Sequence, residues 1–184
     1  MEQRSILLTT LNAKYIHMNL AIRLLYELYK DDERLTWKEF TIKENLDEVA
    51  THCSKFEVVC FSCYIWNITQ TMAVAEKIKN LNPNTKILLG GPEVTYDWQE
   101  TIKSPFIDFI ITGEGEIPFG KFLKSFPEVE KISNLVSKKH GELIFHNQEE
   151  SFELSTYENT NPYQNEDPRS EERRVGKECL RLCR

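Results

Sequence analysis

Short, continuously apolar runs alternate with longer amphipathic stretches along most of this chain. Val58-Val59-Cys60-Phe61 contains no charged or strongly polar residue, which is typical of a strand covered on both faces of a sheet. Leu35 to Ile42 instead carries charges at Lys38 and Glu39, as an edge strand does. The predicted strands are Ile6 to Thr10, Leu35 to Ile42, Val58 to Ser62, Thr85 to Leu89 and Ile107 to Thr112.

Apolar residues at helical spacing fill the segments between these strands. Leu20, Leu24 and Leu28 recur every four residues after the first strand, and Phe119 and Phe122 begin a similar face after the fifth. The predicted helices are Leu20 to Leu28, Leu46 to Ala50, Asn67 to Asn82, Val94 to Lys103 and Phe119 to Phe126.

Five strand-helix units in strict order predict an α/β fold of the Rossmann-like or flavodoxin-like type. This alternation is typical of a doubly wound parallel sheet, and we expect five strands in the order 2-1-3-4-5. A crevice would then open above strands one and three. Leu135 to Ser137 and Leu143 to Phe145 predict a small C-terminal hairpin appended to the sheet. We assign residues 1–146 to this domain and the polar residues 147–168 to a linker.

The composition indicates one globular domain. Of the 184 residues, 40% are hydrophobic and 28% are charged. No apolar run approaches the ~20 residues that cross a bilayer, and the start of the chain lacks the basic and long apolar regions of an export signal. We therefore expect a cytoplasmic protein without a membrane partner.

The last 16 residues change the charge balance. Arg169 to Cys179 matches the in-frame translation of a common sequencing adapter, so we treat residues 169–184 as a non-native tail. The whole chain has a net charge of −6, and without the net +3 of this tail the remainder carries −9. An acidic surface of this kind repels phosphate backbones, which disfavours nucleic acid as a partner. We expect the natural protein to continue beyond residue 168.

Two apolar strands end in loops that contain glycine and glutamate. Lys86 to Leu89 leads into Gly90-Gly91-Pro92-Glu93, and Phe109 to Thr112 leads into Gly113-Glu114-Gly115-Glu116. Glycines at the carboxyl end of a buried strand allow a sharp turn and the close approach of a ligand. Because the carboxyl ends of parallel strands meet at one edge of a sheet, the two loops predict a binding crevice.

The other candidate chemistry has simpler structural interpretations. Cys60 and Cys63 have the spacing of a redox or half-zinc motif, but no second ligand pair exists among residues 1–168, so we predict core packing and no metal site. Glu93, Glu114 and Glu116 lie at strand ends and are interpreted as helix-capping carboxylates. The segment after the first strand has hydroxyls but no glycine, and an independent flavin- or nucleotide-binding protein stays open as an alternative.

Four segments together resemble the amino-terminal cobalamin-binding domain of a cobalamin-dependent radical S-adenosylmethionine protein. The resemblance covers residues 5–165. In that family the glycine loops lie against cobalamin, and a following barrel carries a [4Fe-4S] cluster and cleaves S-adenosylmethionine. The segments are Thr9-Thr10-Leu11-Asn12-Ala13-Lys14-Tyr15-Ile16-His17, Cys60-Phe61-Ser62-Cys63-Tyr64-Ile65-Trp66-Asn67, Leu88-Leu89-Gly90-Gly91-Pro92-Glu93-Val94 and Thr112-Gly113-Glu114-Gly115-Glu116.

The resemblance implies a module that holds base-off cobalamin at the carboxyl ends of the strands. The Asp-x-His-x-x-Gly motif that supplies a cobalt ligand in other cobalamin proteins is absent, so no residue is predicted to bind the metal. The cysteine triplet for the cluster is absent too, so the chain alone is not expected to be catalytic, and its own downstream barrel is the expected partner. The alternative within this family is a scaffold domain that caps the barrel without binding cobalamin.

The resemblance and the strand-end positions together select the predicted cofactor contacts. These residues are Thr10, Asn12, Ser62, Cys63, Tyr64, Gly90, Gly91, Pro92, Gly113, Glu114, Gly115 and Glu116. Among them, Gly91 is the sharpest test, because we expect a β-branched residue at this position to abolish cobalamin binding without unfolding the domain.

Overall fold

The computed structural model describes residues 5–14, 18–129, 131–139 and 141–146. The predicted linker at 147–168 and the predicted tail at 169–184 lie outside these described residues. The strands are β1 (Ile6–Asn12), β2 (Leu35–Thr41), β3 (Val58–Ser62), β4 (Lys86–Gly90), β5 (Phe109–Ile111), β6 (Leu135–Lys139) and β7 (Glu142–Phe145). The helices are α1 (Leu20–Tyr29), α2 (Leu46–Cys53), α3 (Ile68–Leu81), α4 (Pro92–Tyr96), α5 (Trp98–Thr101) and α6 (Glu116–Ser125).

The strands form one sheet in the order β2-β1-β3-β4-β5-β6-β7. The first five are parallel and have the predicted order 2-1-3-4-5, which confirms the doubly wound α/β fold. The predicted C-terminal hairpin is confirmed, and its strands β6 and β7 extend the sheet. Strand β6 pairs antiparallel with β5, where Val136 lies opposite Ile110 and is fully buried. Pairing with β6 satisfies the backbone groups of β5 that an open sheet edge would leave exposed.

The helices divide unequally between the two faces of the sheet. Helices α2 and α3 and the α4–α5 segment pack on one side, which we call the closed face, against inward residues such as Val59 and Leu89. Helices α1 and α6 pack on the other side, which we call the open face, against Cys60 and Leu88. Alternate residues along the strands thus contribute to two apolar cores, one on each face of the sheet.

The sequence predicts one polar helix after β4, whereas the structure has two short helices there, α4 and α5. Pro92 begins α4, which suits a residue that lacks an N–H at the first helical position. The helix is interrupted at Asp97, whose φ of −114° and ψ of 29° are not helical, and α5 then ends before the fully buried Ile102. Among the residues that the structure describes, no helix combines the length and apolar character needed to cross a bilayer.

Candidate cofactor site

A cleft of about 220 Å³ lies on the open face between α1 and α6. Its floor takes one apolar side chain from each of four parallel strands, and its walls come from the two helices. The floor residues are Leu8, Cys60, Leu88 and Ile111, and the wall residues are Ala21, Ile22, Leu25 and Phe119. The floor is therefore a continuous apolar surface from β1 to β5, wider than the crevice predicted above strands one and three.

Tyr29 holds α1 and α6 together beside this cleft. Its hydroxyl donates a hydrogen bond to the carbonyl oxygen of Glu116 at 2.5 Å, and its ring packs edge-on against Phe119 with centroids 5.9 Å apart. The ring also lies against Gly120, where an added Cβ would overlap the phenol group. A glycine at this point of α6 thus gives room for the aromatic ring that links the two helices.

The loops after β3, β4 and β5 form the mouth of the cleft at the carboxyl edge of the sheet. Nine of the twelve predicted site residues line it, so the structure brings together the two glycine loops and the end of β3. These nine are Ser62, Tyr64, Gly90, Gly91, Pro92, Gly113, Glu114, Gly115 and Glu116.

Any residue other than glycine would strain the backbone at position 91. Its φ is +109°, and a Cβ built there would lie 2.5 Å from the carbonyl oxygen of Cys63. The loop after β3 is in direct contact with the end of β4, because the N–H of Cys63 donates to the carbonyl oxygen of Gly90 at 2.7 Å. A β-branched residue at Gly91 would therefore strain the fold as well as the site, because its Cβ would collide with the backbone of Cys63, and its effect on cobalamin binding stays a prediction.

Thr95 connects the two glycine loops, and the sequence analysis missed it. Its hydroxyl donates to the carbonyl oxygen of Gly91 at 2.9 Å and accepts the N–H of Gly113 at 3.0 Å. A threonine four residues after Gly91 is the only signal of this bond in the sequence, because helical hydroxyls often bond the carbonyl four residues back. The bond holds the mouth of the cleft in one arrangement.

Three predicted contacts do not line the cleft. Thr10 is 1% exposed and donates to the carbonyl oxygen of Ser62 at 3.1 Å, and Cys63 is fully buried in the closed-face core. Both side chains are enclosed by protein and do not line the cleft, and contact of these residues with a ligand stays a prediction. Asn12 is 7% exposed, donates to Glu39 at 2.5 Å and lies at a second depression.

This second depression, which we call the groove, lies at the carboxyl end of β1 and has a volume of about 430 Å³. Tyr64 lines both the cleft and the groove. Its ring stacks on that of Trp66 with a centroid separation of 4.5 Å and an interplanar angle of 7°. The groove residues are Asn12, Ala13, Met18, Asn19, Leu20, Tyr64 and Trp66.

The cysteines have the character of core residues. Burial raises the pKa of the Cys53 thiol to about 12 and raises the pKa of the Cys60 and Cys63 thiols further. All three side chains are buried, which confirms the prediction of core packing for Cys60 and Cys63. In the described part of the chain, no three His, Cys, Asp or Glu side chains form a cluster that could hold a metal ion.

The cleft walls were also absent from the predicted site. Ala21, Ile22 and Leu25 of α1 show only an apolar helix face in the sequence, which is the same signal that ordinary core burial gives. The sequence pattern does not state how far apart two helices on one face will stand, so these residues could not be distinguished from core positions.

Residues 6–123 match the family described as the B12 binding domain. The chain belongs to the B12-binding domain family. The family assigns cobalamin to this domain as its cofactor, which confirms the cofactor that the resemblance implied.

Two proteins similar to this B12-binding domain are methyltransferases. One is 2-(S-pantetheinyl)-carbapenam-3-carboxylate methyltransferase of Streptantibioticus cattleyicolor, 29% identical over 103 residues, which are 53% of this chain and 15% of the relative. The other is the cobalamin-dependent radical SAM methyltransferase TokK of Streptomyces tokunonensis, 34% identical over 79 residues, which are 42% of this chain and 12% of the relative.

The fold is also that of a solved protein. The radical S-adenosylmethionine methyltransferase TsrM from Kitasatospora setae, in a structure with cobalamin and a [4Fe-4S] cluster bound, aligns with a TM-score of 0.63 at 13% identity. The alignment covers 78% of this chain and 30% of TsrM. The B12-binding domain described here thus spans less than a third of the length of each of these relatives.

Proposed function

We propose that this chain is the cobalamin-binding module of a radical S-adenosylmethionine enzyme and that it holds base-off cobalamin across the carboxyl ends of its parallel strands. The observation that carries the proposal is the apolar cleft on the open face, which ends at the two glycine loops. When bound, cobalamin supplies a cobalt centre that can carry a methyl group. The role of the chain is to bind and orient the cofactor.

The size of the cleft supports entry of one limb of the cofactor. Pockets that enclose a whole drug-sized ligand have volumes of about 300–1,000 Å³, and the cleft has about 220 Å³. The nucleotide tail of cobalamin ends in a flat, largely apolar base, which suits a floor formed by Leu8, Cys60 and Leu88. The corrin ring would then lie outside, over Gly91 and Gly113, where backbone can approach it closely.

The positions of the described histidines support binding without a histidine on cobalt. His52 belongs to α2 and packs between the rings of Phe40 and Phe56, with centroids 5.6 Å and 5.7 Å away. His146 forms an isolated backbone β-bridge with Ser133 beside the terminal hairpin. Neither lines the cleft or the groove, and His17 and His140 lie outside the described residues.

The charges at the mouth favour cobalamin over a flavin or another phosphorylated nucleotide. Of the described residues that line the cleft, only Glu114 and Glu116 are charged. No lysine or arginine is among these lining residues, so the two carboxylates repel a terminal phosphate, which carries nearly two negative charges at neutral pH. Cobalamin has only a phosphodiester, so its single negative charge is partly balanced by cobalt.

Exposed apolar residues at the same edge support a protein partner. Ile65 is 77% exposed and Tyr96 is 88% exposed, and Leu20 and Trp66 are half exposed. Leu20 and Trp66 line the groove, and Ile65 and Tyr96 belong to the segments that follow the carboxyl ends of β3 and β4. We assign this surface to contact with a downstream barrel that would bind S-adenosylmethionine and the [4Fe-4S] cluster, and we expect no catalysis from the 184-residue chain alone.

A visible-absorbance titration of the whole chain with hydroxocobalamin and methylcobalamin tests the proposal. We expect saturable binding and, for methylcobalamin, the spectrum of the base-off form. Riboflavin 5′-phosphate is the matched control ligand and should not bind. A folded chain that gives no spectral change and retains no corrin on desalting would contradict the proposal and favour a scaffold that only caps the barrel.

A further inference from the structure

Asn67 occupies an unusual position at the start of α3. It is the residue before the helix and is fully buried, yet its side chain makes no capping bond to the helix. Asparagine at this position normally accepts the N–H of a residue in the first turn. The side chain instead turns back toward the ends of β1 and β3, so its role is in the site loops and not in the helix.

The amide nitrogen of Asn67 bridges the point where the β1–β3 pairing ends. The last paired residues are Thr9 and Phe61. Beyond them, Nδ2 of Asn67 lies 3.3 Å from the Thr10 hydroxyl oxygen, 3.2 Å from the carbonyl oxygen of Leu11 and 3.1 Å from the carbonyl oxygen of Ser62. Its two hydrogens are shared among three buried acceptors, which would lose this donor if the amide were removed.

The amide oxygen of Asn67 fixes the loop that forms one side of the site. It accepts the backbone N–H of Tyr64 at 2.8 Å. Tyr64 is the residue shared by the cleft and the groove, and its ring stacks on Trp66. One buried side chain therefore connects the strand ends beneath the site to the aromatic pair at its rim.

From this connection we propose that Asn67 is a positioning residue for cobalamin binding, which acts by holding Tyr64 at the boundary of the cleft and the groove. The proposal rests on the proposed function, because it concerns affinity for cobalamin. Asn67 itself does not line either depression, so it acts through Tyr64 and not by touching the cofactor.

Asn82 provides a matched control at the other end of the same helix. Its Nδ2 donates to the carbonyl oxygen of Ser54 at 3.0 Å, and its Oδ1 accepts the N–H of Asn84 at 3.2 Å. Both asparagines thus bond backbone groups of a neighbouring loop. The 14 residues of α3 separate them by roughly 20 Å, so Asn82 lies far from the cleft.

The test compares Asn67→Ser with Asn82→Ser in the full chain, by urea unfolding and by titration with methylcobalamin. We expect both substitutions to lower the free energy of unfolding, and only Asn67→Ser to weaken methylcobalamin binding, on the order of tenfold. Wild-type affinity in Asn67→Ser would overturn the proposal. Failure of the wild-type chain to bind would instead refute the proposed function, which keeps the two claims separate.

A double substitution tests whether Asn67 acts through Tyr64. Tyr64→Ala removes the ring that Asn67 is proposed to hold, so Asn67→Ser should cost little further affinity in that background. Losses that add fully would show that the two residues act independently and would overturn the proposal.

A measurement on the wild-type chain covers the case in which Asn67→Ser does not fold. The backbone amide of Tyr64 should exchange slowly with deuterium before any cobalamin is added, because Asn67 already accepts its hydrogen. A Tyr64 amide that exchanges as fast as an unprotected peptide would contradict a preformed position for this residue.

Discussion

The two faces of the sheet are built from alternate residues of the same strands, yet the closed face is filled and the open face contains the cleft. On the closed face, α3 presents Val74 and Ile78, both without exposed surface, to the sheet. On the open face, α1 and α6 are the helices of the described residues that cover the parallel strands, and the apolar floor between them lines the cleft although its side chains are only 2–3% exposed. The comparison teaches that the site arises from the spacing of helices over an ordinary apolar sheet surface.

The polar groups differ between the two edges of the sheet as well. At the carboxyl edge, neutral amides and hydroxyls such as Asn67 and Thr95 hold the loops. At the amino edge, Asp108 accepts hydrogen bonds from Lys79 at 2.6 Å and from the N–H of Ile87 at 2.8 Å. Charge pairs close the edge away from the site. At the site edge neutral groups hold the loops after β3 and β4, and the ion pair of Arg23 with Glu39 lies beside the groove, where Glu39 also accepts a hydrogen bond from Asn12.

Truncation of one residue on each face gives the largest expected contrast. Ile78→Ala leaves a cavity in the filled core and should lower the free energy of unfolding by about 2–5 kcal/mol. Leu25→Ala removes a partly buried wall of the cleft and should cost only about 1 kcal/mol, because solvent already reaches it. Urea unfolding followed by circular dichroism measures both. Equal losses would show that the open face is packed as tightly as the closed face.

Filling the cleft should weaken cobalamin binding with little effect on the fold. Gly115 has φ of −89°, and a Cβ there would meet only Leu25, at 3.9 Å, so Gly115→Leu extends into the cleft without backbone strain. We expect methylcobalamin affinity to fall by about 1–3 kcal/mol, measured by absorbance titration. Asp97→Leu places the same side chain at the exposed start of α5, outside the cleft, and should bind as the wild type does. Equal affinities for the two variants would remove the cleft from the site.

The aromatic pair at the rim should have a smaller effect. Trp66→Ala removes the ring stacked on Tyr64 and should reduce cobalamin affinity by about 0.5–1.5 kcal/mol, as isothermal titration calorimetry would show. Trp37 serves as the control. It is also partly exposed and its ring lies beside that of Tyr26, with centroids 6.3 Å apart, but it belongs to the edge strand β2. An equal loss in Trp37→Ala would mean that the effect is one of stability and not of contact.

The sequence predicts more of the fold than of the site. Continuous apolar runs such as Val58 to Phe61 predict buried parallel strands, and the alternation with helices predicts their order. The break at Asp97 was not predictable, because no glycine or proline marks it in the sequence. The glycine loops were predictable from their residues, whereas the cleft walls depend on the distance between helices that no periodicity encodes.

Alkaline pH should destabilise the fold through a buried thiol of the closed face. The pKa of the Cys53 thiol is raised by burial to about 12 in the folded chain, above the ordinary value of about 8.5. The stability contributed by keeping this thiol neutral is therefore fully present below pH ~8.5 and is lost as the pH rises toward 12. Urea unfolding should give a lower free energy of unfolding at pH 10 than at pH 7.5. The decrease should be smaller in Cys53→Ala, and an unchanged decrease would assign it to other groups.

Amide hydrogen exchange of the full chain, with and without methylcobalamin, tests most directly whether the open face receives the cofactor. The account predicts slower exchange on binding in the loops after β3, β4 and β5 and in the first turns of α1 and α6, with no change in α2 and α3. Slower exchange concentrated in α2 and α3, or no change in these loops at saturating methylcobalamin, would contradict it.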